Sequence, residues 1–114
     1  MIIITKINWS LFNDDKIIIA NENVECEFVV NKFIKYLEND TSNYIDLENK
    51  IYIRENNEFM FKIDYKNNLF NYILKENNIK LENEIDCEFI INDNEIILKY
   101  KIDEEEKKII IQIL

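Results

Sequence analysis

The sequence predicts an α+β fold dominated by antiparallel β-sheet, with about six or seven strands and one or two helices packed on it. Runs of β-branched and aromatic residues alternate with polar ones, pairs of Asn and Asp separate the runs, and two segments have helical spacing. A chain of 114 residues, 47% of them hydrophobic, is expected to form a single compact domain, residues 1–114.

The composition constrains the turns. Glycine, proline and histidine are absent, a bias typical of an AT-rich genome. Turns that ordinarily use glycine at positive φ must therefore use Asn or Asp, which tolerate it next best. The Asn pairs at 56–57, 67–68 and 77–78 are the clearest signals.

The first part of the chain predicts a hairpin and an ambiguous segment. Residues 2–7 and 16–20 are predicted strands, joined by a turn at 13–15, with Trp9, Leu11 and Phe12 near its tip. Residues 24–38 alternate as a strand at first but also fit one face of a helix. We favour a helix over residues 28–38.

The remaining elements follow in order. Residues 39–44 are a predicted loop, residues 50–55 and 58–65 a hairpin, and residues 67–76 a helix with Asn67 as its N-cap. From residue 79 the pattern is a meander. Its predicted strands are 80–91, 95–102 and 107–114, with an acidic turn at Asp103–Glu106.

One short sequence segment, called the repeated phrase below, occurs twice in similar form. VECEFVVN at 24–31 resembles IDCEFIIN at 85–92, and the similarity extends weakly to 18–31 and 79–92. A duplicated β-unit explains it; the alternative is that a biased composition converged on one half-buried strand pattern.

Most catalytic and cofactor chemistry is excluded by composition. Without His there is no His base or metal ligand, and without Gly there is no phosphate loop or dinucleotide fingerprint. Two cysteines are too few for a structural zinc site, and we predict Cys26 and Cys87 as core residues rather than a disulfide or a reactive thiol. We therefore expect no cofactor, no metal and no enzymatic activity.

A metal-dependent nuclease is a weak alternative. Asp64 and Lys66 fit the acid-x-Lys part of one nuclease motif. The same triplet recurs at 14–16, 48–50 and 105–107, so the match is not specific.

Direct nucleic-acid binding is not expected. Aromatic residues in the predicted central hairpin could stack on bases. However, the net charge of −9 repels a phosphate backbone, so core packing is the better explanation of Tyr52, Phe59, Phe61 and Tyr65.

The second copy of the phrase carries a pattern of charge. If residues 80–89 are extended, apolar side chains fall on one face and four carboxylates on the other, about 6.7 Å apart, which is close to the spacing of successive phosphates. The first copy adds two acids. The candidate partner-binding residues are Glu82, Glu84, Asp86, Glu88, Glu25 and Glu27.

Two interpretations of this acidic face remain. It is either the solvent-facing side of a sheet, charged for solubility, or a surface that docks on a basic protein. The second predicts a small cytoplasmic inhibitor of a nuclease or other nucleic-acid-binding protein, comparable in size and charge to anti-CRISPR, anti-restriction and nuclease-immunity proteins. A homo-oligomeric assembly protein of a virus or mobile element, pairing through terminal strands such as KKIIIQIL, is the alternative. We predict no membrane-spanning segment, since no apolar run approaches the required length.

Overall fold

The computed structural model describes residues 1–114, which form one curled antiparallel sheet of 11 strands without a helix. The α+β class and the smaller number of strands predicted from the sequence are therefore wrong, and the fold is all-β. The strands are β1 (Ile3–Asn13), β2 (Lys16–Val29), β3 (Phe33–Glu38), β4 (Thr41–Asp46), β5 (Ile51–Glu55), β6 (Phe59–Asp64), β7 (Leu69–Leu74), β8 (Ile79–Glu84), β9 (Cys87–Ile91), β10 (Glu95–Ile102) and β11 (Glu105–Ile113).

The first predicted helix, residues 28–38, is the end of β2, a turn and β3. Asn31 has a φ of 62° and reverses the chain, so that β3 pairs back on β2. Ile34 and Tyr36 are buried on one face of β3, while Phe33 lies on the other face. Apolar residues on both faces of a strand thus imitate helical spacing.

The second predicted helix, residues 67–76, is a turn followed by β7. Phe70 packs against the core, and its neighbour Leu69 lies on the opposite face. Asn67 caps no helix; its Nδ2 donates a hydrogen bond to the Asp64 carboxylate at 2.8 Å. The predicted loop at 39–44 is also wrong, because β4 begins two residues into it.

The strand order is β8-β7-β6-β5-β4-β3-β2-β1-β11-β10-β9. β11 is therefore inserted between β1 and β10, and Ile111 faces Trp9 on one side and Ile96 on the other. Because both edges of β11 are paired, KKIIIQIL is not available to pair with a second molecule, contrary to the prediction.

The sheet curls so that the concave side of β3–β7 packs against the concave side of β1 and β9–β11. Aromatic rings bridge the two halves: Trp9 lies 5.9 Å from Tyr36, and Phe61 lies 5.5 Å from Tyr100, centroid to centroid. Of the four aromatics predicted from the sequence to pack in the core, Tyr52, Tyr65 and Phe61 lie in or against it. The buried hydrophobic residues are Ile7, Trp9, Cys26, Ile34, Tyr36, Ile45, Tyr52, Ile63, Tyr65, Ile85, Ile96, Leu98, Ile109 and Ile111.

The meander has a constant period. β3, β5, β7, β9 and β11 begin at residues 33, 51, 69, 87 and 105, which is a spacing of 18 residues. Two of the turns are chemically alike: Asp46 accepts two backbone N–H groups and the side-chain amide of Asn49, and Asp64 does the same with Asn67. Of the two copies of the repeated phrase, residues 24–31 lie mostly in β2, and residues 85–92 begin after the end of β8 and lie mostly in β9.

The turns use left-handed residues in place of glycine, as the composition predicts. The β1–β2 and β10–β11 hairpins each have two such residues in succession, which is the geometry of a type I′ turn. All but two of the left-handed residues are Asn or Asp, and the exceptions are Lys50 and Glu104. The complete set is Asp14, Asp15, Asn23, Asn31, Asn39, Lys50, Asn68, Asn78, Asp103 and Glu104.

Polar groups in the core are incompletely paired. The Tyr52 hydroxyl donates to Oδ1 of Asn43 at 2.8 Å, both residues being fully buried. The Asn43 Nδ2 and the Tyr65 hydroxyl have no partner in the protein. Since a buried polar group without a hydrogen bond destabilises the fold, these two positions are weak points of the core.

Candidate functional site

Residues 79–91 form one extended segment that contains both edge strands of the sheet, β8 and β9. Its first half, β8, pairs with β7, and its second half, β9, pairs with β10. At the crossing, the Ile85 N–H donates to the Asn68 carbonyl, and the Asp86 carbonyl accepts from the Lys101 N–H. This crossing joins the two sheet edges covalently and forms a corner of the fold.

The alternation of side chains continues through this corner. Ile85 is buried on the concave side, and Cys87 and Phe89 pack against the core behind it. The even-numbered positions from Lys80 to Glu88 lie on the convex side and are exposed. We call four of them the acidic row: Glu82, Glu84, Asp86 and Glu88.

The acidic row is not neutralised by ion pairs. None of its four carboxylates lies within 4.0 Å of a basic nitrogen or accepts a side-chain hydrogen bond. The two ends of the row differ, however. Glu82 and Glu84 face Asn71 and Leu69 across β7, whereas Glu88 faces Lys99 on β10.

The structure adds acids that the sequence pattern did not reveal. Shallow depressions of about 390, 340 and 170 Å³ surround the side chain of Lys101, where the β10–β11 turn meets the acidic row. We call the carboxylates that line them the acidic corner. They are Glu84, Asp86, Glu88, Asp103, Glu104 and Glu106.

Glu25 and Glu27, the two remaining predicted residues, do not join the acidic row. They lie on the convex side of β2, which β1, β11 and β10 separate from β9. Their cross-strand neighbours include Lys6 and Lys35. Each of them therefore has a lysine directly opposite, whereas in the acidic row only Glu88 does.

The residues of the nuclease motif have a structural role in a turn. The Asp64 carboxylate accepts hydrogen bonds from two backbone N–H groups and from the amide of Asn67, which hold its pKa below the ordinary value. No group of three or more Cys, Asp or Glu side chains converges as a metal site.

Both cysteines are free thiols facing the core side of their strands. Cys26 is buried and Cys87 is half-buried. Burial is the main cause that raises the pKa of each thiol, and the carboxylates of Asp64 and Asp86 raise that of Cys87 further. Neither thiol is activated as a nucleophile at neutral pH.

Comparison with known proteins gives no relative for this chain: no family model, curated protein or solved structure matches it. No helix long and apolar enough to cross a membrane occurs in the fold.

Proposed function

We propose that this chain is a small, non-enzymatic, cytoplasmic binding protein that docks on a basic surface of a nucleic-acid-binding protein and blocks that surface. Nuclease immunity and phage anti-defence are the classes of activity that fit this description. The observation that carries the proposal is the acidic row, a line of exposed carboxylates on one face that has no ion pair within the chain.

The energetics of the acidic row favour a cationic partner. Like charges on neighbouring same-face positions repel, and each close pair costs a few tenths of a kcal/mol or more. A basic surface would remove this repulsion on binding. The net charge of −9 would also steer a basic partner toward the chain and raise the association rate.

The shape of the surface supports occlusion of a nucleic-acid site. In an extended strand, same-face positions such as Glu82 and Glu84 are about 6.7 Å apart, similar to successive phosphates along a nucleic-acid strand. The acidic corner widens this line where Asp103, Glu104 and Glu106 approach it. A groove that holds a phosphate backbone would accept this pattern of charge.

The test is a charge reversal with a matched control. The variant E84K/D86K/E88K reverses the acidic row, and E22K/E25K/E27K makes the same change in net charge on β2. Each is used as bait in host lysate at low salt, and captured proteins are identified by mass spectrometry. We expect wild type and the β2 control to capture a basic partner that the first variant loses, with affinity reduced at least tenfold.

Folding of the variant is not expected to limit this test. Glu84, Asp86 and Glu88 make no ion pair or side-chain hydrogen bond, so the variant should fold. E88K places a lysine opposite Lys99, which should lower the free energy of unfolding by a few tenths of a kcal/mol. Thermal unfolding followed by circular dichroism checks this. Equal capture of the same partners by the wild type and by the folded variant would refute the proposal.

A further inference from the structure

Three strands of the sheet have an edge without a neighbouring strand: the first part of β2, β8 and β9. β9 pairs only with β10, and its one charged residue, Glu88, offers no complementary charge to a second copy. β2 pairs with β3 only from Cys26 onward, and β8 has no neighbour other than β7. All six residues of β8 are exposed, and its outer edge takes part in no hydrogen bond within the chain. Unpaired N–H and C=O groups on an edge strand are a template for another strand.

The free edge of β2 is interrupted, whereas that of β8 is regular. The pairing of β2 with β1 shifts register between Ile7 and Trp9 and again between Leu11 and Phe12. Such bulges twist an edge and discourage pairing. β8 pairs with β7 without any shift from Ile79 to Glu84, so β8 is the edge that can accept a strand.

β8 also exposes apolar side chains beside this edge. Ile79 and Leu81 are 50% and 53% exposed, and they lie on the concave face opposite Leu74 and Tyr72 of β7. An extended partner with apolar residues at alternate positions would cover them. The identity of that partner follows from the charges on the other face.

We propose that two copies of this chain pair antiparallel through β8, with a two-fold axis at Leu81. In this register Lys80 of each copy lies opposite Glu82 of the other, on the convex face. Leu81 meets its own symmetry mate on the concave face, with Ile79 diagonal to it. Lys80 and Glu82 lie one residue to either side of the axis at Leu81, so the two copies bring opposite charges together at both positions.

This dimer leaves most of the acidic row accessible. Glu84, Asp86 and Glu88 lie beyond the paired segment in each copy, and the antiparallel arrangement directs them away from the axis. The proposal does not depend on the proposed function, because it uses only Lys80, Leu81 and their neighbours. A monomer could still bind through the acidic row, and a dimer could form without a basic partner.

The test is a charge swap measured by sedimentation velocity over a wide range of protein concentration. K80E places two acids opposite each other at both sites of the dimer, and E82K places two lysines there. Each variant alone should dimerise about tenfold more weakly than the wild type. An equimolar mixture of the two variants restores both opposite-charge pairs, and we expect it to dimerise as tightly as the wild type.

A matched pair of single substitutions locates the interface. L81K brings two lysines together at the axis and should abolish dimerisation. I18K makes the same kind of change at an exposed position of the free β2 edge and should have no effect. A wild type that stays monomeric at all concentrations, a mixture that fails to recover, or a dimer sensitive to I18K but not to L81K would each overturn the proposal.

Discussion

Alkaline pH should unfold this protein through its core tyrosines. Burial raises the pKa of Tyr100 from its ordinary value of 10.0 to about 12. Burial also raises the pKa values of Tyr36, Tyr52 and Tyr65 well above the ordinary value. All four hydroxyls stay protonated in the folded state at a pH where they ionise in the unfolded chain. Their contribution to stability is therefore complete below pH 10 and is lost as the pH rises above it.

The free energy of unfolding is expected to fall steeply with pH above pH 10. Each such tyrosine lowers the free energy of unfolding by about 1.4 kcal/mol per pH unit above pH 10, so four of them lower it by about 5 kcal/mol per unit. Tyr100 ceases to contribute near its own folded pKa, after a loss of about 3 kcal/mol. Since small domains have about 5–15 kcal/mol of stability, unfolding is expected between about pH 11 and 13.

The assay is a pH titration that follows tyrosinate absorbance and the far-ultraviolet circular dichroism of the same sample. The buried tyrosines should ionise together with the loss of β-structure, and Tyr100→Phe should reduce the pH slope of unfolding by about a quarter. The hydroxyl of Tyr100 makes no hydrogen bond within the protein, so this variant should fold. Ionisation of the core tyrosines near pH 10 with the circular dichroism unchanged would refute the reasoning.

Three further predictions concern stability and are measured by chemical denaturation. Tyr65→Phe removes a buried hydroxyl that has no partner and should raise the free energy of unfolding by about 1 kcal/mol. Tyr52→Phe removes the hydrogen bond to Asn43 and leaves its buried Oδ1 without a donor, so it should lower stability by about 1–3 kcal/mol; equal effects of the two substitutions would contradict this account. Asp64→Ala removes three hydrogen bonds, including that from Asn67, and should cost about 1 kcal/mol at neutral pH. Because the folded-state pKa of Asp64 is depressed, its stabilisation is present above the ordinary carboxyl pKa and is lost as the pH falls through the folded value; a difference from wild type that persists in acid would contradict it.

The local chemistry of turns and strands could be predicted from the sequence. Without glycine, the left-handed positions had to be taken by other residues, and Asn and Asp fill nearly all of them. The alternation of apolar and acidic residues over 80–89 also corresponds to opposite faces of one extended segment. These features depend only on the conformational preferences of neighbouring residues.

The prediction of two helices was wrong because the strands at these positions, β3 and β7, have apolar residues on both faces. Phe33 and Tyr44 stack at 5.3 Å on the convex side, opposite the buried Ile34 and Ile45. Period-two alternation is obscured in such strands, and accidental helical spacing takes its place. The constant spacing of 18 residues between the starts of alternate strands indicates a meander of hairpins more directly. This spacing is visible only when several hairpins are aligned with one another.

The acidic corner could not be predicted because it is assembled by long-range pairing. Glu84 and Glu104 approach each other only because β10 pairs with both β9 and β11. Sequence distance gives no indication of this contact. For the same reason Glu25 and Glu27 were grouped with an acidic row from which three strands separate them.

The place of β11 between β1 and β10 sets the order in which the strands can pair during biosynthesis. The meander from β3 to β8 pairs each strand with its neighbour in sequence and can assemble while the ribosome is still translating. β1 emerges first, yet one of its edges stays unpaired until β11 has left the exit tunnel. The nascent chain therefore carries an isoleucine-rich hairpin with an open edge through most of its synthesis, which is the period when chaperone protection matters most.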